Sequence, residues 1–133
     1  MNFIEDYPFS KISSLRTTET ASFFCELSDV NQIDEIVSFS KGKNLPILII
    51  GEGTNIVPTK TFKGLVVFNK LLGINAIDDV TIEVASGENW HDFVEWTVRH
   101  KIFGLENLAL IPGTVGAGPI QNIGAYGSEI SSF

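Results

Sequence analysis

The chain has 133 residues, 44% of them hydrophobic and 19% charged, with a formal net charge of −7 and a pI of about 4.7. That is the length of one domain with enough apolar content for a packed core. The acidity argues against nucleic acid or an anionic membrane surface as the main partner, but it leaves room for a phosphate-bearing ligand, because backbone N–H groups bind phosphate without net positive charge.

One cysteine, Cys25, cannot pair internally, so a reduced, cytoplasmic compartment is the expectation. It sits in the apolar-leaning run ASFFCEL and reads as a core thiol. The first residues, MNFIEDYPFSK, lack a basic stretch followed by an apolar one, so no signal peptide is expected. No apolar run approaches the roughly 20 residues of a membrane span. The last residues, SEISSF, carry no turn or capping signal, the ending expected of a chain cut part-way through a larger architecture.

Residues 1–20 are polar and read as irregular, with Ser13, Ser14, Thr17, Thr18 and Thr20 around Leu15 and Arg16. Ala21 to Leu27 reads as a strand. Ser28 is placed to cap a helix with Asp29 in its first turn; Val30, Ile33, Ile36, Val37 and Ser40 follow at helical spacing, and Gly42 is placed to end it. Ile47 to Ile50 is short, uncharged and mostly β-branched, and reads as a strand buried on both faces.

Gly51-Glu52-Gly53-Thr54-Asn55 follows that strand. A dinucleotide fingerprint needs a third glycine and a helix start. Here Ile56 takes the sixth position and the next element is a strand, Gly64 to Phe68. A phosphate loop of the Walker type is excluded by the missing Gly-Lys pair. What remains is a tight turn whose N–H groups, with Thr54 and Asn55, suit an anion such as pyrophosphate; a plain turn is the alternative. Val80 to Ala85 reads as a strand after a turn at Asp78-Asp79. Gly87-Glu88-Asn89 leads into a helix with Trp90, Phe93, Val94 and Thr97 on one face. His91 and His100 fall in this helix without a ligand partner at metal spacing, and read as solvated or packing side chains.

Gly104 to Gly127, GLENLALIPGTVGAGPIQNIGAYG, is the most unusual stretch. Glu106 is its only ionisable acid or base apart from Tyr126. Five glycines lie between 113 and 127, against about one at average usage. Leu105, Leu108, Leu110, Ile111, Val115, Ile120 and Ile123 give it too much apolar content for a solvated linker. Such a segment brings backbone close to another strand or to a bound cofactor.

With LPILIIGEGTNIV (45–57) and ASGENWHDFVEWTV (85–98), this block resembles the UDP-N-acetylenolpyruvoylglucosamine reductase family, the UDP-N-acetylmuramate dehydrogenases, from about Leu15 to Glu129. The resemblance implies an α+β, vanillyl-alcohol-oxidase-type (PCMH-type) FAD-binding fold of two small α+β subdomains, truncated at the C-terminus. Expected bounds are 1–58 and 59–133, the second incomplete, with the substrate-binding domain absent. It implies FAD as cofactor and NADPH as reductant, with reduction of UDP-N-acetylglucosamine enolpyruvate to UDP-N-acetylmuramate for peptidoglycan. Gly51, Gly53, Thr54 and Asn55 match the family's pyrophosphate loop. Ile111, Pro112, Gly113, Ala117, Ile120, Gln121, Asn122 and Gly124 match the flavin-lining segment. Some relatives carry serines where this chain has Ala117-Gly118, so backbone must serve there. The family's proton-donating serine and its arginine and glutamate lie beyond Phe133. No catalytic residue is therefore assigned, and the chain alone is expected to be inactive. Two other readings stay open: an FAD-dependent alcohol or sugar oxidase of the same fold, against which no histidyl flavin-attachment segment is found, and a non-catalytic fragment that binds a nucleotide or a partner.

Overall fold

The structure, a computed structural model, describes residues 1–133 and divides them into two units, Met1–Leu71 and Leu72–Phe133. Both mix helix and strand, so the fold is α+β as expected.

Unit 1 is built on a four-stranded sheet. Strands β1 (Ile4–Pro8), β2 (Thr20–Leu27), β3 (Ile47–Ile50) and β4 (Phe62–Asn69) lie in the order β1-β2-β4-β3. β2 and β3 run parallel to β4, and β1 is antiparallel to β2. Side chains alternate along β4. Leu65 and Val67 pack with Cys25, Leu27 and Ile36 under helix α1 (Ile33–Lys43), while Val66 joins Phe9, Phe24 and Ile50 on the other face.

Several expectations change here. The compact units divide after Leu71, since β4 is an interior strand of the first sheet, where the sequence placed a subdomain bound at residue 58. Ile47–Ile50 is a strand, but an edge one: Ile47 and Ile49 are exposed, and the strand buried on both faces is β4. Residues 4–8, read as irregular, pair with β2. Asp29, rather than Ser28, is the capping residue, and it caps a 3-10 turn over 30–32 that leads into α1. Its carboxylate accepts from the Asn31 N–H, and the Gln32 side chain reaches back to the N–H groups of Ser28 and Asp29. The helix runs through Gly42 and ends at Asn44, left-handed at φ 52°, a conformation asparagine tolerates better than most residues.

Unit 2 has a two-stranded ribbon, β5 (Ile74–Ala76) against β6 (Ile82–Val84), and helix α2 (Trp90–Arg99). Asn89 caps α2, accepting from the Asp92 N–H at 3.0 Å. Trp90, Phe93, Val94 and Thr97 form its buried face, as the helical spacing requires. Trp90, Phe93 and Val94 pack with Leu108 and Ile123 from the glycine-rich segment. The strand expected over 80–85 is shorter, because the Asp78 carboxylate holds the N–H groups of Val80 and Thr81 in a turn. The C-terminal residues, expected to lack structure signals, form a hairpin, β7 (Gly124–Ala125) with β8 (Ser128–Glu129), and a last 3-10 turn over 130–132. Its two-residue turn, Tyr126-Gly127, has φ of 52° and 81°, the left-handed pair that matches strand twist.

Cys25 is fully buried, and burial, with the Glu35 carboxylate as a smaller contributor, pushes its thiol up to about 11. Unfolded, the thiol ionises near about 8.5. Above that pH the unfolded chain releases a proton the folded chain keeps, so stability falls as pH rises from about 8.5 towards 11. Urea unfolding across this range should show a steeper alkaline loss in the parent than in Cys25→Ala. Equal slopes would remove Cys25 as the cause.

Candidate functional site

In unit 1 the turn Gly51–Asn55 closes β3 and rests on residues 12–14. Ser14 N–H donates to the Gly53 carbonyl at 3.1 Å, and the buried Ser13 hydroxyl donates to the Phe9 carbonyl at 3.0 Å. Gly53 is buried at φ 64°, and a Cβ there would run into the Ile12 carbonyl oxygen. Glycine is therefore required at 53 by the chain's own packing. Gly51 and Thr54 are half-buried and Asn55 is exposed, so all four predicted residues share one turn. Just beyond the turn lies a cleft of about 660 Å³, lined by Phe9, Leu48, Ile56 and Phe62 together with Lys60 and Lys63.

In unit 2 the glycine-rich segment is stitched to the approach to α2. Trp90 N–H donates to the Gly113 carbonyl, Val115 N–H to Glu88 and Gly116 N–H to Ser86, each at 2.9 Å, around an antiparallel bridge of Asn89 with Thr114. A Cβ on Gly116 would sit 2.6 Å from the Ser86 Cβ, so this glycine permits that close approach. The Trp90 indole N–H donates to the Leu108 carbonyl at 2.8 Å, in the core.

From there the segment turns outward. Leu110 sits at φ 65°, which costs a branched non-glycine residue about 1–2 kcal/mol. Its N–H donates to His91 Nδ1 at 3.3 Å. Of the predicted residues, Gly113 is buried, Ile111, Ala117 and Gln121 are half-buried, and Pro112, Ile120, Asn122 and Gly124 are exposed. Ile120 is 88% exposed, and Leu110 and Tyr126 are similarly bare at 77% and 90%. The residues between are held by local turns: Gln121 N–H to the Ala117 carbonyl, Asn122 N–H to Pro119 and Ile123 N–H to Gly118. Asn122, at φ 45°, donates its side-chain amide to Glu129 in the β7–β8 hairpin at 3.0 Å.

The arrangement offers bare apolar side chains, two carboxamides and backbone dipoles on an almost chargeless strip. That donor set fits a flat heteroaromatic ring with a polar edge, and the turn at 51–55 fits a phosphate ester. Leu110, Tyr126 and His91 were not assigned to the site by sequence reasoning. The first two carry a left-handed backbone that sequence does not announce, and His91 meets its partner only through the fold. There is no group of three or more His, Cys, Asp or Glu side chains that would hold a metal ion.

Residues 21–133 match the family described as FAD binding domain, and the chain belongs to that family. Across its whole length it is 40% identical to the UDP-N-acetylenolpyruvoylglucosamine reductase of Burkholderia lata, of which it covers 39%. It is 45% identical, over 78% of its length, to the enzyme of that name from Pasteurella multocida, covering 31% of that protein. Its fold matches the crystal structure of UDP-N-acetylenolpyruvylglucosamine reductase from Thermus caldophilus with a TM-score of 0.66, at 19% identity, over 96% of this chain and 44% of that one. The chain thus spans about two fifths of the length of the curated relatives it matches over its full length.

Gly53→Ala should destabilise the FAD-free chain by more than about 1 kcal/mol in urea unfolding, through the left-handed backbone and the Ile12 carbonyl. An unchanged midpoint would show that the 51–55 turn is not seated on residues 12–14.

Proposed function

We propose that this chain is the FAD-holding part of an FAD- and NADPH-dependent oxidoreductase. The whole protein reduces UDP-N-acetylglucosamine enolpyruvate to UDP-N-acetylmuramate, a precursor of peptidoglycan. The observation that carries this is the chargeless segment from Leu110 to Gly124, which leaves the large apolar side chains of Leu110 and Ile120 bare, in a chain similar along its whole length to reductases of that name. Gly51, Gly53, Thr54 and Asn55 would hold the cofactor's pyrophosphate. Ile111, Pro112, Gly113, Ala117, Ile120, Gln121, Asn122 and Gly124 would line its ring. The apolar cleft with Lys60 and Lys63 suits the adenosine diphosphate end of such a molecule. When bound, FAD would supply hydride-transfer chemistry between a reduced nicotinamide and an acceptor.

In this reading the chain's own residues would bind and orient the cofactor, and no proton donor to substrate is assigned among them. A cytoplasmic location fits a nicotinamide-dependent enzyme whose one thiol is buried. No helix is long and apolar enough to cross a membrane.

The test is an absorbance spectrum of the purified chain after incubation with FAD and desalting, followed by a binding titration. Flavin bands should be retained. Ile120→Asp should weaken FAD binding by about tenfold or more, by setting a carboxylate against an apolar ring. Because Ile120 is 88% exposed, the fold should be unaffected. Absent bands, or equal affinities, would remove these segments as a sufficient cradle. Residues 1–133 with FAD and NADPH should give no turnover of the enolpyruvyl substrate. Clear turnover would place the proton donor within this chain.

A further inference from the structure

From the contacts of His91 we infer that it is a pH-sensitive positioning residue, one that holds the glycine-rich segment in shape at neutral pH and lets it go when the imidazole takes up a proton. The consequence for cofactor binding rests on the FAD reading above; the anchor itself does not.

His91 lies in the first turn of α2 and its side chain is about one-third exposed. It reaches across to Leu110, the left-handed residue that opens the strip. A backbone N–H only donates, so Nδ1 must offer its lone pair and the neutral ring must carry its proton on Nε2. Nε2 faces Glu95 Oε1 at 3.7 Å, and the other Glu95 oxygen is held by Arg99 at 2.7 Å. The other charged groups near this contact are Asp92 on α2 and Glu106 on the turn packed against it, whose carboxylate accepts from Gly104 N–H at 2.7 Å. Leu110 itself lies in a stretch without charge.

One proton therefore has two opposite effects. On the helix side, an imidazolium is drawn towards Glu95. On the segment side, Nδ1–H now meets Leu110 N–H, and two donors repel. Leu110 is then left in an unfavourable conformation without the bond that held it.

The experiment uses NMR on the purified chain, the parent beside His91→Asn and His91→Ala. Asparagine keeps an acceptor at the place of Nδ1 but does not titrate. Long-range nitrogen–proton spectra at pH 7.5 should show the Nε2–H tautomer. From pH 7.5 to 5.5 the Leu110 amide of the parent should lose about three- to tenfold of its protection, relative to an unstructured chain, following the His91 titration. His91→Asn should stay protected throughout, and His91→Ala should be unprotected at both pH values. An Nδ1–H tautomer, a flat parent profile, or full protection in His91→Ala would overturn the anchor. FAD affinity measured over the same range should weaken on acidification more in the parent than in His91→Asn; equal pH dependence would overturn its control of the site. If no FAD binds at any pH while the Leu110 amide behaves as expected, the cofactor reading fails and the anchor stands.

Discussion

Trp90 is the residue on which the second unit depends. It is 2% exposed, packs edge-on against Phe93, and makes two hydrogen bonds into the glycine-rich segment, from its backbone to Gly113 and from its indole to Leu108. These bonds fix the two ends of a short arc, residues 109–112, whose Ala109 and Ile111 also pack against the core. Leaving the Leu108 carbonyl buried and unpaired would cost about 1–3 kcal/mol, and the left-handed Leu110 costs about 1–2 kcal/mol. One anchor thus roughly offsets the strain, and two together with the buried indole exceed it. The strip keeps an unfavourable backbone because its ends are tied to a helix that packs well for its own reasons.

The same logic separates two uses of glycine. At 53 and 116 a side chain would meet Ile12 and Ser86, so those glycines serve contacts within the chain. Their presence is no sign of a ligand by itself. In the proposed function, what would meet a cofactor ring is instead the side chains the core leaves out, Ile120 and Leu110, with the carboxamides of Gln121 and Asn122. A soluble chain normally covers side chains of that size, and three of them bare on one chargeless segment is the feature that asks for an occupant.

What could be read from the sequence follows the strength of the periodic signal. In α2 the apolar spacing identified all four buried positions, since nothing competes with a 3.6-residue period over ten residues. For Ile47–Ile50 the composition was right and the place wrong: a continuous apolar run does not distinguish an edge strand from a central one. Asn44 took the role expected of Gly42, because its side chain makes the left-handed region accessible. Strand β1 was hidden by the charges at Glu5 and Asp6, with Asp6 itself at φ 51°. The two glycine features were legible as candidate sites because their composition is rare. The bond between His91 and Leu110 was not, as it joins residues 19 apart through a turn with no sequence signature.

An acidic chain is an unexpected holder for an anionic dinucleotide, and the distribution of charge resolves the conflict. At physiological ionic strength the screening length is about 8 Å, so a net charge of −7 spread over the surface acts weakly at any one point. Local groups decide. Glycine-rich turns present N–H dipoles at fixed positions, and these need no counter-charge. Where charge does lie beside the cleft of unit 1, it is the positive charge of Lys60 and Lys63. In unit 2, residues 107–127 carry no formal charge at neutral pH; the nearest carboxylate shown against them is Glu129, which accepts from the Asn122 amide. Acidity then acts elsewhere. A net negative charge of this kind disfavours polyanions that need a broad basic face, and it bears less on a small ligand met by local backbone dipoles.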